Sequence, residues 1–146
     1  MTDWNYRVRP ARWPEDREAL RLVRETVFVR EQKVPVELEW DGMDQKCLHM
    51  LAEDGQGNPI GTGRLLPDGH IGRMAVLREW RGRGVGSALL RALMEAGRQR
   101  GFEKMILAAQ IQAMPFYEKA GFVAQGGIFD DAGIPHRNMV WRKPTD

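Results

Sequence analysis

Apolar residues along this chain fall into two regimes, one alternating every second position and one recurring at helical spacing. Tyr6 and Val8 alternate with Arg7 and Arg9, which predicts a short first strand. Pro14, Glu15 and Asp16 suit a helix start, because proline needs no N–H there and acids favour the positive end of the helix dipole. Leu20, Leu22, Val23 and Val27 then mark a helical face running to about Glu31. From Gln32 to Lys46 the pattern breaks around Pro35 and the acids Glu37, Glu39, Asp41 and Asp44, which predicts a loop with one short helical turn. Residues 47–52, 60–66 and 71–77 read as strands, separated by the turn chemistry of 53–58 and of Pro67-Asp68-Gly69. The next helix carries Val85, Leu89, Leu93 and Ala96 on one face and ends at Gly101. A strand over 104–110, a helix over 113–121, and a strand pair, 123–129 and 137–142 across 130–133, complete the pattern. Hairpins followed by a strand–helix–strand crossover predict an α/β fold, a mixed sheet with helices on both faces.

Composition narrows the classes. The 146 residues predict one domain, 1–146, large enough to bury a core without staples. No apolar stretch has the length of a membrane span, and Met1 to Asn5 lacks signal-peptide architecture. The single cysteine, Cys47, excludes an intrachain disulfide, and His49, His70 and His136 lack ligand spacing, so no metal site is expected. A cytoplasmic protein without a membrane partner is the simplest expectation. The formal net charge of +2 is too small to imply nucleic-acid binding, and acids interrupt the arginines throughout.

Chemistry concentrates where the 71–77 strand meets the long helix. Gly82, Gly84 and Gly86 alternate at the helix N-terminus, where backbone N–H groups lack intrahelical partners, and Arg81 and Arg83 stand beside them. Oriented donors, a helix dipole and guanidinium groups together suit a multiply charged phosphate. A Walker-type loop needs Lys and then Ser or Thr after its last glycine, whereas Ser87-Ala88 follow Gly86. The dinucleotide fingerprint fails as well. Read from Gly82 its third glycine comes one residue early, and read from Gly84 the third position is Leu89.

What remains is R-x-x-G-x-G over Arg81, Gly84 and Gly86. In this the chain resembles the GNAT superfamily of N-acetyltransferases. The run from Ala113 to Phe122, with Phe116-Tyr117-Glu118-Lys119-Ala120-Gly121-Phe122, resembles that family's second signature, in the right order and separated from the first by a helix and a strand. Together they cover roughly the C-terminal half. The stretch from Phe28 to Asp41 and Ile134-Pro135-His136 resemble a bacterial branch often called ElaA-like or YjcF-like.

The resemblance implies a single-domain GNAT acyltransferase fold whose mixed, mostly antiparallel sheet splays at the centre. It implies transfer of an acetyl group from acetyl-CoA to a primary amine by direct attack on the thioester. The coenzyme would meet the backbones of Met74, Ala75 and Val76 and the turn formed by Arg81, Gly82, Arg83, Gly84, Val85, Gly86 and Ser87. Tyr117 matches the family's general acid.

Each of these residues also has a plainer reading: Tyr117 as a core aromatic beside Phe116, Arg81 and Arg83 as a solvated turn, Ser87 as a first-turn helical residue. Arg73 stands where many family members carry an acid, so the general base is left among His49, His136, Glu37, Glu39, Asp41 and Asp44. His49, on an apolar strand, reads as a satisfied core histidine. The acidic run from Glu37 to Asp44 reads either as solvated charge or as a lining that attracts a cationic amine. A catalytically silent acyl-CoA sensor is the alternative to an enzyme. The acceptor, a small-molecule or protein amine, and the oligomeric state stay open.

Overall fold

The computed structural model describes residues 4–145, with side chains at all of them except 38 and 39. The signal-peptide reading of residues 1–3 lies outside that range, as does the side chain of Glu39. Strands β1 (Tyr6–Ala11), β2 (Leu48–Asp54), β3 (Pro59–Leu65) and β4 (Ile71–Val76) pair antiparallel in sequential order. Strands β5 (Lys104–Gln110), β6 (Val123–Asp131) and β7 (Ile134–Arg142) form a second antiparallel sheet with β7 in the middle. The two sheets touch through a parallel bridge between His70 and Ile106, where the Ile106 N–H donates to the Gly69 carbonyl at 3.1 Å. A Cβ at Gly69 would stand 3.0 Å from the Lys104 carbonyl oxygen, so the junction needs glycine. Past it β4 and β5 are not hydrogen-bonded to each other, which is the expected central splay.

Helices cover both faces. Alternation along β3 sends Gly61 and Gly63 toward α3 (Val85–Gln99), where Leu89 and Leu93 come within 3.0 and 2.8 Å of where their Cβ atoms would be. Both leucines are fully buried, each stabilising the fold by about 1.5–3 kcal/mol. Helix α1 (Arg17–Arg24) packs on the opposite face with Leu20 and Val23 buried, whereas Leu22 is exposed.

Several boundaries differ from the pattern. The predicted first helix is regular only to Arg24; over Glu25–Glu31 it widens into a π-helix, closed by the Gln32 N–H on the Val27 carbonyl at 3.0 Å. A face counted at 3.6 residues per turn does not register that wider turn. The helical turn expected within 32–46 is α2 (Val36–Glu39). The 113–121 helix shortens to α4 (Met114–Glu118) after a 3₁₀ turn at Ile111–Ala113. Strands β6 and β7 run longer than predicted because Ala132 and Gly133, at φ 53° and 79°, suffice to turn the hairpin. Strand β6 also carries a bulge: Gln125 faces Asn138 and Ile128 faces Arg137, leaving Gly126-Gly127 between them.

The acids Asp41 and Asp44 are not a solvated run. Asp44 Oδ1 accepts from Arg24 Nη1 at 2.6 Å and from Arg64 Nη1 at 2.9 Å, all three residues being buried. Asp41 accepts a two-pronged contact from the same Arg64, which holds its carboxyl well below the usual carboxylate range. The Arg24 guanidinium also lies 4.8 Å from the Trp40 ring centroid. His49 donates from Nε2 to the Asp44 carbonyl at 2.8 Å and stacks on Trp13, a core histidine with its polar atom satisfied.

Two outcomes follow from this cluster. Asp44→Asn removes the buried carboxylate that joins Arg24 to Arg64 and should cost about 3–5 kcal/mol in urea denaturation; an unchanged midpoint would show the cluster to be dispensable. Burial lowers the His49 pKa below its ordinary 6.5, so the unfolded chain takes up that proton first. The resulting stability is complete above about pH 6.5 and is lost as pH falls through the folded-state pKa. His49→Gln should flatten the decline seen in denaturation series between roughly pH 7.5 and pH 5.5.

Candidate active site

The gap between β4 and β5 opens into a cleft of about 700 Å³. A strand at a sheet edge keeps a row of N–H and C=O groups without ladder partners, and Met74, Ala75 and Val76 line the cleft along such an edge. On its paired side β4 bulges: Thr62 faces Ala75 and Arg64 faces Gly72, so Arg73 and Met74 together oppose Gly63. Arg73 sits at φ 51°, and the bulge takes the backbone beside Met74 out of regular pairing with β3.

At the end of β4 the chain enters the glycine turn. Gly82 and Gly84 adopt φ 76° and 85°, and α3 starts immediately after. The Ala88 N–H, bonded to the Gly84 carbonyl at 3.0 Å, lies behind the leading amides of the helix, which have no partner within it. Such an N-terminus, preceded by residues of alternating hand, forms a concavity for anionic oxygens. Gly86 closes it from the side: a Cβ there would come 3.4 Å from the Phe116 ring and 3.8 Å from Val76.

All the expected site residues except Arg83 line this cleft. The Arg83 guanidinium lies 3.2 Å from the Trp4 ring centroid, and its Nε donates to the Glu79 carbonyl at 3.2 Å. Arg81 is a brace. Its Nε donates to the Val76 carbonyl at 2.9 Å, and its two terminal nitrogens reach the Glu31 carboxylate at 2.7 and 2.8 Å. That contact lowers the Glu31 pKa and ties the turn to the end of the π-helix. The groups of the turn that face the cleft are therefore chiefly main-chain ones.

Tyr117 stands in the same cleft between Phe116 and Phe122, both packed edge-on at centroid distances of 5.0 and 6.2 Å. Burial pushes its phenol up to about 12, which keeps the hydroxyl protonated through the physiological range. Among the described residues that hydroxyl has no hydrogen-bond partner.

Of the candidate bases, His136 lines the cleft, whereas His49, Glu37, Asp41 and Asp44 do not. The amine-attracting role of Asp41 and Asp44 is thus replaced by ion pairing with Arg24 and Arg64. Several lining residues were not singled out in the sequence: Phe28 from the π-helix, Gln32 just after it, Gln110 from β5 and Asp131 from β6. Gln110 Nε2 donates to Gln32 Oε1 at 2.9 Å, joining two walls across 78 positions of sequence. No local signal marks such a pair.

The profile of the Acetyltransferase (GNAT) domain matches residues 17–143. The chain belongs to the GNAT acetyltransferase family. It is 43% identical over 122 residues to the uncharacterized N-acetyltransferase YjcF of Bacillus subtilis (strain 168), covering 81% of this chain and 86% of that one. Among solved structures it is similar to an acyl-CoA N-acyltransferase from Pseudomonas aeruginosa, with TM-score 0.82, 31% identity and coverage of 94% and 99%. It is also similar to Escherichia coli ElaA, with TM-score 0.84, 25% identity and coverage of 94% and 100%.

Membership makes the protein an acyltransferase enzyme of a fold that uses acyl-CoA, and the amide-lined turn beside a long cleft fits that donor. Among the described residues no helix is long and apolar enough to cross a membrane. The turn should be intolerant of side chains. Gly84→Ala forces a Cβ into the left-handed region, costing about 1–2 kcal/mol, and sets it 3.4 Å from the Tyr6 hydroxyl. Thermal melts should shift down and calorimetric affinity for coenzyme A should fall; retention of both would remove the turn's special conformation from the account.

Proposed function

We propose that residues 1–146 act as one acetyltransferase unit, moving an acetyl group from acetyl-CoA to a primary amine by direct attack on the thioester. The acceptor is a small-molecule or protein-borne amine, and the setting is the cytoplasm. One observation carries the reading: an anion-binding turn, an unpaired strand edge and a protonated tyrosine hydroxyl share a single cleft. In it, the amides of residues 82–87 hold the diphosphate of the donor substrate. Backbone groups of Met74, Ala75 and Val76 bind its amide-containing arm and polarise the thioester carbonyl.

The chemistry sets two proton requirements. A lysine-like amine costs about 4–5 kcal/mol to deprotonate at pH 7, so a proton acceptor is needed before attack. After the C–N bond forms and the C–S bond breaks, the leaving thiolate needs a proton, and Tyr117 supplies it. Its raised pKa suits a group that must be protonated when the thiolate departs.

Tyr117→Phe tests this with little change in shape. Turnover, followed as thiol release across a panel of amines, should drop on the order of 10²-fold, while calorimetric binding of acetyl-CoA stays close to wild type. Full turnover in the variant would remove Tyr117 from the mechanism. Binding without thiol release from any amine in the wild-type protein would instead identify a silent acyl-CoA sensor.

A further inference from the structure

We infer that His136 is the general base that deprotonates the acceptor amine, acting through Nε2. The assignment rests on the acetyl-transfer reading above and completes it. His136 is the first residue of β7 to pair with β5, opposite Gln110, faces Phe129 of β6, and is 8% exposed. Its Nδ1 lies 2.7 Å from the Ile134 carbonyl oxygen. A carbonyl only accepts, so Nδ1 carries the hydrogen and Nε2 keeps its lone pair. The ring is stacked on Phe129, with centroids 6.0 Å apart and planes 25° from parallel. One nitrogen is thereby anchored, the ring plane is fixed, and the basic nitrogen has no partner among the described residues. His136 lines the cleft on the wall opposite β4, the strand whose backbone receives the thioester in the proposed reaction.

The other histidines are placed differently. His49 lies outside the cleft and spends Nε2 on the Asp44 carbonyl. His70 lines the cleft but is half-exposed at the sheet junction, with Nδ1 on Asp68 at 2.9 Å. The charged and titratable groups around His136 are Asp130 and Asp131 on β6 and its own neighbour Arg137; Gln110 of β5 and the Ile111–Ala113 turn carry none. Across the shared cleft stand Arg64, His70, Arg73 and Tyr117. Asp131 gives this wall a negative charge that suits an incoming ammonium.

The protons balance. The ammonium gives one proton to Nε2, and the neutral amine attacks the thioester carbon. Collapse expels the thiolate, which takes the Tyr117 proton. The second proton of the new amide nitrogen restores Tyr117, and the imidazolium releases its proton to water. The net products are an N-acetyl amine, the free thiol and one proton.

His136→Asn keeps a donor for the Ile134 carbonyl and has no basic nitrogen. With a primary alkylamine that supports thiol release, its kcat/KM at neutral pH should fall on the order of 10²–10⁴-fold. The acid limb of the wild-type pH profile should disappear, and the defect should shrink as pH approaches the amine's own pKa. It should shrink as well with a weakly basic hydrazide acceptor, which needs no base. Acetyl-CoA binding should be unchanged, and circular dichroism should confirm the fold. If the Asn variant misfolds, His136→Gln and the wild-type ring ¹⁵N shifts, expected to report the Nδ1–H tautomer, provide the readout. An unchanged profile in a folded variant, an Nε2–H tautomer, or an acid limb that follows His70→Asn instead would overturn the assignment. A wild-type enzyme inert toward every amine would overturn the transfer reading, and this assignment with it.

Discussion

The active cleft exists because two neighbouring parallel strands stop hydrogen-bonding after one contact. The bridge between His70 and Ile106 holds the sheets together, and everything beyond it on β4 keeps an edge of peptide groups facing a gap. In an ordinary sheet that edge would be an aggregation hazard. Here it is flanked by a second wall, so its donors and acceptors sit in a partly dry groove where an extended amide-bearing ligand can replace the missing strand. In the proposed reaction, recognition falls to the main chain and side chains are left free for chemistry.

Arginines serve this arrangement from behind. Arg81 spans from the Val76 carbonyl to Glu31, and Arg64 joins the floor of the cleft to Asp41 and Asp44. A guanidinium already held by a carboxylate contributes little net charge to a ligand, but it fixes backbone geometry at several points. Arg83 lies over Trp4 on the outer side and bonds the Glu79 carbonyl. For the proposed diphosphate contact, the precision of the turn then matters alongside the cations near it.

Much of this was legible in the sequence because it depends on local spacing. The alternate glycines, the strand before them and the helix after them announce an anion site, and β5 has the predicted bounds, 104–110. What escaped depends on contacts distant in sequence. Asp41 and Asp44 look like surface charge until Arg24 and Arg64 arrive from α1 and β3. The π-helix escaped because its turns are wider than the period used to find it. It carries Phe28 into the cleft wall, and Gln32 follows at its end. Arg83 reads as a ligand residue from its neighbours, and its contact with Trp4 has no local signal. His136 was visible as a candidate, but the anchoring of its ring by Ile134 and Phe129 was not.

The bulge at Gly126-Gly127 has a consequence for how this hairpin can evolve. Side chains change faces at every step along a strand, and the bulge absorbs an even number of residues between Gln125 and Ile128. Deleting both glycines would make Gln125 and Ile128 consecutive ladder positions opposite Asn138 and Arg137; losing just one would leave a single-residue bulge of the kind already present in β4. Either way the segment from the bulge to the hairpin tip, Phe129 and Asp131 included, can keep its partners on β7 while the chain between shortens.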